Sequence, residues 1–183
     1  MFIKTTLAAT AALALTACAS KMSAPAMAYS QVGLPATVQV PAGHKVALET
    51  VGVGEITYEC RDKKDAAGQT EWVFVGPKAV LNDRSGKAVG TYYGPPATWE
   101  ANDGSKFTGT QVAISPASAG NIPLQLVKAN PATGNGAMTD VTFVQRVATV
   151  GGVAPKSECS TATKGTKEIV KYQADYIFYK AAK

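Results

Sequence analysis

Period-two alternation of apolar and polar residues is the feature of this sequence that most constrains its fold. Successive side chains of a strand point to opposite faces, so alternation predicts a β-strand with one buried face. The C-terminal residues 170–178 show this alternation. One face carries Val170, Tyr172, Ala174, Tyr176 and Phe178, and the other carries Lys171, Gln173 and Asp175. After the N-terminal region, no stretch sustains helical periodicity through three turns. The sequence therefore predicts a domain built from strands.

Several shorter segments have the same character and are separated by turn residues. Residues 55–61 alternate and place Ile56, Tyr58 and Cys60 on one buried face. The remaining strand candidates are residues 71–75, 89–93, 107–114, 124–129 and 141–150. The last of these is apolar on both faces apart from Gln145 and Arg146, which is typical of a central strand.

Two turn signals support antiparallel pairing. Residues 102–105 lie between Trp99 and Phe107 and contain Asp-Gly, which supplies the positive φ angles of a tight hairpin; residues 82–86 are similar. Short strands with turns about every ten residues are typical of sandwiches and barrels. We therefore predict an all-β fold: a single antiparallel β-sandwich or barrel-like domain with few or no helices after the signal peptide.

The N-terminus has the features of an export signal. Lys4 precedes an apolar run, residues 5–15, that is too short to span a bilayer. The run ends in Leu-Thr-Ala before Cys18, which resembles a bacterial lipobox, so residues 1–17 are predicted as a lipoprotein signal peptide and Cys18 as the acylated (palmitate-bearing) residue. The alternative is an ordinary signal cleaved at the small-x-small site 26–28, which would release a secreted protein.

This prediction places the protein in the bacterial cell envelope. Ala19 and Ser20 follow the lipidated position without the Asp that retains many lipoproteins in the inner membrane, so we expect an outer-membrane lipoprotein facing the periplasm. The lipid bilayer is then a partner through acylated Cys18. Residues 18–35, rich in Ala, Ser, Pro and Met, are predicted as a flexible tether, and residues 36–183 as the β-rich domain.

The cysteines are consistent with an exported protein. The chain has three, and removal of Cys18 from the count leaves the pair Cys60 and Cys159. In an oxidising periplasm two cysteines within reach usually pair, so we predict a disulfide between them. The alternative is two reduced, buried thiols.

Charge and motifs exclude several classes of function. The net charge is +5, but Lys and Arg are dispersed and form no dense run, so nucleic acid is not a predicted partner. Gly52-Val53-Gly54 begins like a dinucleotide-binding turn, yet Thr57 occupies the third glycine position. The sequence contains no metalloprotease, nucleophile-elbow or P-loop motif, and its single histidine is His44. We therefore predict no cofactor, no metal and no catalytic residue.

Two groups of residues remain as candidate sites. Arg146 stands in an otherwise apolar strand and must meet a carboxylate such as Glu100 or Asp140, backbone carbonyls or an anionic ligand. Tyr92, Tyr93, Trp99 and Glu100 surround a Pro-rich loop, and aromatic rings beside a carboxylate suit a sugar or peptide. The alternative for the second group is aromatic packing in the core.

Four sequence segments resemble those of a known protein family. They are residues 58–60, residues 98–105, residues 144–155 followed by Cys159, and residues 174–179. Together they resemble a family of exported domains of unknown function found in bacteria and fungi, over roughly residues 40–180. The resemblance implies export and two matching cysteines, but no established activity.

These features together favour a non-catalytic role. We expect an envelope-anchored periplasmic lipoprotein that acts as a binding or structural module, with an envelope polysaccharide or a small molecule as ligand. The alternative is a hydrolase or isomerase that uses Glu100, Arg146 and His44. The sequence makes no prediction about the oligomeric state.

Overall fold

The segments with period-two alternation all form strands in the computed structural model, which describes residues 29–182. The strands are β1 (His44–Asp62), β2 (Thr70–Asn82), β3 (Ala88–Tyr93), β4 (Thr98–Ala101), β5 (Lys106–Ser115), β6 (Leu124–Ala129), β7 (Val141–Gly151) and β8 (Lys167–Ala181). The described chain has no α-helix; its helical segments are the 3-10 turns Ala36–Val38 and Thr161–Thr163. None of these is long and apolar enough to cross a membrane. The all-β prediction is confirmed.

The strands form a closed antiparallel barrel in sequence order, and β1 pairs with β8. Of the two architectures predicted, the structure is therefore the barrel. Both predicted hairpins are present: Gly86 and Gly104 adopt the positive φ angles that their turns require. Closure leaves no exposed sheet edge, so every strand has a neighbour on each side.

The predicted apolar face of β8 points into the barrel. Tyr172, Ala174, Tyr176 and Phe178 are all buried there. Gly52 lies opposite on β1, where a Cβ atom would stand 2.5 Å from Cε2 of Tyr176. Gly52 therefore makes room for an inner aromatic ring. This packing role accounts for a glycine that resembles part of a dinucleotide motif in the sequence.

The two ends of the barrel are closed differently. At one end, here called the Met138 end, the loop 130–140 inserts Met138 into the inner core, where it is 1% exposed.

At the other end of the barrel, here called the disulfide end, the long β7–β8 loop 152–166 lies against β1 and β2. Cys60 and Cys159 form a disulfide there, with their Cα atoms 5.4 Å apart, which confirms the predicted bridge. A hydrogen bond also holds this loop: Trp72 Nε1 donates to Ser157 O at 2.9 Å.

The outside of the barrel carries a second apolar cluster beneath residues 29–40. Val38 and Val40 pack against outward-facing residues of β6, β7 and β8, including Ile177. This cover explains why β7 is apolar on both faces. Residues 1–28, which include the predicted signal peptide, Cys18 and most of the predicted tether, lie outside the described residues. Residues 29–35, the last part of that predicted tether, contact the barrel: Tyr29 and Leu34 pack against the outer cluster, and the Tyr29 hydroxyl donates to Gln145 Oε1.

Candidate functional site

A cavity of about 310 Å³ lies inside the barrel near the disulfide end. Its wall includes Phe74 of β2, Tyr92 of β3, Trp99 of β4, Val127 of β6 and Arg146 of β7. Phe74 faces inward beside Tyr58 but is 52% exposed, so its ring marks the mouth of the cavity. Three residues singled out from the sequence, Tyr92, Trp99 and Arg146, therefore meet in one place.

Arg146 contacts a backbone carbonyl and no carboxylate. Its Nε and Nη2 atoms donate to Pro123 O, at 3.2 and 3.0 Å. All side-chain carboxylates lie within residues 29–182, since the first acidic residue is Glu49, and none of them forms an ion pair with Arg146. The predicted internal partners Glu100 and Asp140 are too distant because Glu100 points out of the barrel and Asp140 precedes β7 at the Met138 end.

Tyr93 and Glu100 lie on the outer face of the sheet, away from the cavity. The Tyr93 hydroxyl donates to Glu100 Oε2 at 2.6 Å, and Lys106 Nζ lies 3.6 Å from the same oxygen. These two contacts hold the pKa of Glu100 below its ordinary value, the Tyr93 hydrogen bond being the larger cause. The predicted cluster is thus divided by the sheet, because Tyr92 and Tyr93 are consecutive and point to opposite faces.

Trp99 is a core residue, as the alternative interpretation of the aromatic cluster expected. Its ring is stacked between Tyr92, with centroids 4.6 Å apart, and Phe107, at 5.4 Å. The side chain is only 1% exposed. Both faces of the indole are covered, so it offers no platform on which a sugar could stack. Its Nε1 atom is buried and has no hydrogen-bond partner among residues 29–182.

Four inner tyrosine hydroxyls lie within electrostatic range of Arg146. They belong to Tyr58, Tyr92, Tyr172 and Tyr176, and burial raises the pKa of each, while the charge of Arg146 acts in the opposite direction. Tyr58 donates to Gly152 O at 2.8 Å, and the hydroxyls of Tyr172 and Tyr176 are 3.2 Å apart. The Tyr92 hydroxyl bonds to no described residue. All four stay neutral at physiological pH and can donate hydrogen bonds.

Two residues of the cavity wall, Gln111 and Gln125, were not predicted from the sequence. Gln111 and Gln125 join β5 and β6 through a hydrogen bond of 2.6 Å from Gln125 Nε2 to Gln111 Oε1, and both line the cavity. A register shift between Gln111 and Ala113 changes which β5 residues face inward. Strand alternation alone therefore could not assign Gln111 to the inner face. Phe74 was within a predicted strand, but only pairing with Tyr58 shows that its ring points inward.

His44 lies at the Met138 end, away from the other residues of the alternative enzyme hypothesis. Its Nδ1 atom is 3.1 Å from Pro41 O and its ring meets Phe143 edge-on at 5.0 Å. It lines a separate cavity with Asp140. Within residues 29–182 no group of three His, Cys, Asp or Glu side chains is placed to hold a metal ion.

The described chain is thus a closed, eight-stranded antiparallel barrel with a small inner cavity entered near one end. A family model described as "Protein of unknown function (DUF3455)" matches residues 41–180, and the chain belongs to this family. The predicted resemblance to a family of unknown-function domains is confirmed. A search of curated proteins found no match. A search of solved structures likewise found none.

Proposed function

We propose that this domain binds a small molecule in the inner cavity without transforming it, and that the protein is anchored in the bacterial envelope. The observation that supports binding is the cavity itself, which lies beside the buried side chains of the inner core. A concave site with apolar walls and a few polar groups is the usual form of a small-ligand site. Arg146, Tyr92, Gln111 and Gln125 supply those polar groups.

The cavity favours a small molecule over a polysaccharide chain. About 310 Å³ is near the lower limit for ligand sites in proteins. A sugar would also need an open aromatic face, and both faces of Trp99 are covered. The glycan hypothesis therefore receives less support from the site than the small-molecule hypothesis.

The geometry does not support a hydrolase or isomerase that uses Glu100, Arg146 and His44. Glu100 points away from the barrel, Arg146 points into it, and His44 lies at the opposite end from the cavity. General acid–base catalysis requires its groups within hydrogen-bond reach of one reacting centre. We therefore propose binding as the function.

The envelope anchor is supported by the sequence pattern. The residues before Cys18 resemble a lipobox, and acylation there would attach the protein by two or three chains, enough for stable anchoring. We propose an outer-membrane lipoprotein that faces the periplasm, with release as a secreted protein as the alternative. Intact mass measurement on the protein recovered from its native envelope tests this: we expect a mature chain that begins with diacylated Cys18. A chain cleaved near residue 28, or one that keeps residues 1–17, would contradict the anchor.

Ligand binding is tested by identifying what the protein carries. We expect native mass spectrometry of the full mature protein to show a bound small molecule that denaturation releases. Ala97→Leu, which adds volume to the cavity wall, should remove it. The matched control is Ala88→Leu, at an exposed position of β3 outside the cavity. Equal loading of both variants, or a wild-type protein that carries no small molecule, would contradict the proposal.

A further inference from the structure

The geometry points to the class of ligand: we infer that the cavity binds a small carboxylate with an apolar body, held by Arg146 and Tyr92. This inference rests on the proposed function of the cavity. It follows from which polar atoms of the wall have partners and which do not.

The guanidinium of Arg146 has an edge available for a carboxylate. Its Nε and Nη2 atoms share one acceptor, the carbonyl oxygen of Pro123. Two of the five N–H bonds of the side chain point at this oxygen, and the other three donate to no described residue. These three include the parallel pair on Nη1 and Nη2, which is the geometry that binds both oxygens of a carboxylate.

Tyr92 adds a second donor to the same cavity. Its side chain is 6% exposed, and its hydroxyl forms no hydrogen bond within residues 29–182. Tyr92 and Arg146 line the same cavity, and the charge of Arg146 acts to lower the pKa of Tyr92 against the larger effect of burial. Unlike Trp99 Nε1, this hydroxyl is not fully enclosed by the protein, so it is free to donate a hydrogen bond to an acceptor on the ligand.

The charge and the apolar part of the wall favour an anion with an apolar body over a neutral ligand. Phe74, Ala97 and Val127 contribute apolar surface, and no carboxylate of the protein lines the cavity. The positive charge of Arg146 therefore has no compensating negative charge inside the barrel. Partly buried charges are normally paired, and a bound anion would complete this pair. An apolar body on the ligand would then match the remaining wall.

The competing interpretation is that Arg146 only fixes the start of β6 by its hydrogen bonds to Pro123. Under that interpretation, the cavity would not distinguish a carboxylate from a neutral molecule of the same shape. Two probes of the same shape that differ in charge, 2-naphthoate and 2-naphthamide, separate the two interpretations of Arg146.

The protein used is the full mature chain in phosphatidylcholine nanodiscs. Equilibrium dialysis against empty nanodiscs corrects for partition of the probes into lipid.

We expect the wild-type protein to bind 2-naphthoate about tenfold to a hundredfold more tightly than 2-naphthamide, since a charge-assisted bidentate contact has about this effect. In Arg146→Gln the ratio of the two dissociation constants should fall to about one. Arg61→Gln removes the same charge from the exposed outer surface and should leave the ratio unchanged.

Tyr92→Phe tests the second donor with a smaller change. We expect it to weaken 2-naphthoate binding severalfold, about the effect of one hydrogen bond, with little effect on 2-naphthamide. Tyr93→Phe is its matched control, because the neighbouring hydroxyl lies on the outside against Glu100. If Arg146→Gln fails to fold by circular dichroism, Tyr92→Phe against Tyr93→Phe decides the question.

The outcomes separate this inference from the proposed function. Equal binding of the two probes by the wild-type protein, with both lost in Ala97→Leu, would overturn the carboxylate inference and leave the cavity as a binding site. A preference for 2-naphthoate that survives in both Arg146→Gln and Tyr92→Phe would overturn the inference too. Binding of neither probe, together with no co-purified molecule, would overturn both.

Discussion

Gln145 shows how one buried amide fixes the segment that precedes the barrel. It lies on the outer face of β7, is fully buried, and uses both ends of its side chain. Its Nε2 atom donates to Val38 O at 2.7 Å and to Gln31 Oε1 at 3.0 Å. Its Oε1 atom accepts from the hydroxyls of Tyr29 and Tyr179, at 3.1 and 2.8 Å. Residues 29–40 are therefore held by a satisfied polar network as well as by apolar contact.

We expect Gln145→Ala to lower the free energy of unfolding by about 2 to 4 kcal/mol, because it leaves several buried partners without a hydrogen bond. Urea denaturation measures the change. Gln173→Ala, at an exposed site on β8, is the control and should change stability by less than about 0.5 kcal/mol. Equal effects of the two substitutions would contradict the assigned role.

At the scale of elements, the loop 130–140 is fastened to the hairpin turn 102–105. Asp103 Oδ1 accepts from the backbone N–H and the hydroxyl of Ser105, and its Oδ2 accepts from Ala137 N at 2.8 Å. The Ser105 hydroxyl in turn accepts from Met138 N at 3.0 Å. These contacts, the Ser105 hydroxyl first, hold the pKa of Asp103 below its ordinary value. The turn thus positions the loop that closes the Met138 end.

Asp103→Ala should release this loop while the barrel remains folded. We expect faster amide hydrogen exchange at Ala137 and Met138, since the hydrogen bonds that fix them are lost or loosened. Asp83→Ala is a matched control: Asp83 makes the same two contacts to Ser85 in the β2–β3 turn but contacts no distant loop. Unchanged exchange at Ala137 in Asp103→Ala would show that the loop is held by other contacts.

At the scale of the whole molecule, the disulfide joins positions 99 residues apart and fastens the β7–β8 loop at the disulfide end. The chain-entropy model gives about 4 to 5 kcal/mol for a loop of this length, and measured losses for small secreted domains are about 2 to 5 kcal/mol. We expect the double variant Cys60→Ala, Cys159→Ala to lose stability in that range. Chemical denaturation measures the loss, and reduction of the wild-type protein should reproduce it. A loss below about 1 kcal/mol would contradict the prediction.

Buried tyrosines predict how stability depends on alkaline pH. Burial, with the charges of Asp175 and Glu49 adding to it, raises the pKa of Tyr29 to about 12, and burial raises the pKa of Tyr172, Tyr176 and Tyr179 further. An unfolded tyrosine ionises near pH 10. The folded state therefore holds protons that the unfolded state loses, so this stabilisation is complete below pH 10 and is lost as pH rises toward the folded pKa values.

Urea denaturation at a series of pH values from 8 to about 12 measures this effect. We expect the midpoint to fall steadily above pH 10. Tyrosinate absorbance from the buried rings should appear together with the loss of circular dichroism. Ionisation of all tyrosines well before unfolding would contradict the burial that the structure assigns to them.

The sequence by itself determined the strands, the hairpin turns, the disulfide pair and the family. These depend on local patterns: alternation places Tyr172, Tyr176 and the rest of that face inward, and Asp-Gly supplies the φ angles of a hairpin. Cys60 and Cys159 could be paired because only two cysteines remained after Cys18. None of these predictions depends on which strands are neighbours in the barrel.

Only the tertiary structure decided which candidate residues share a site. Closure of the barrel brings Arg146 and Tyr92 to one cavity, although they are far apart in the sequence. The same sheet separates Tyr93 and Glu100 from them, because a sheet turns consecutive side chains to opposite sides. Residues 29–35 have a composition typical of a tether, yet a buried amide on β7 holds them in place. Long-range pairing sets these contacts, and no local pattern encodes it.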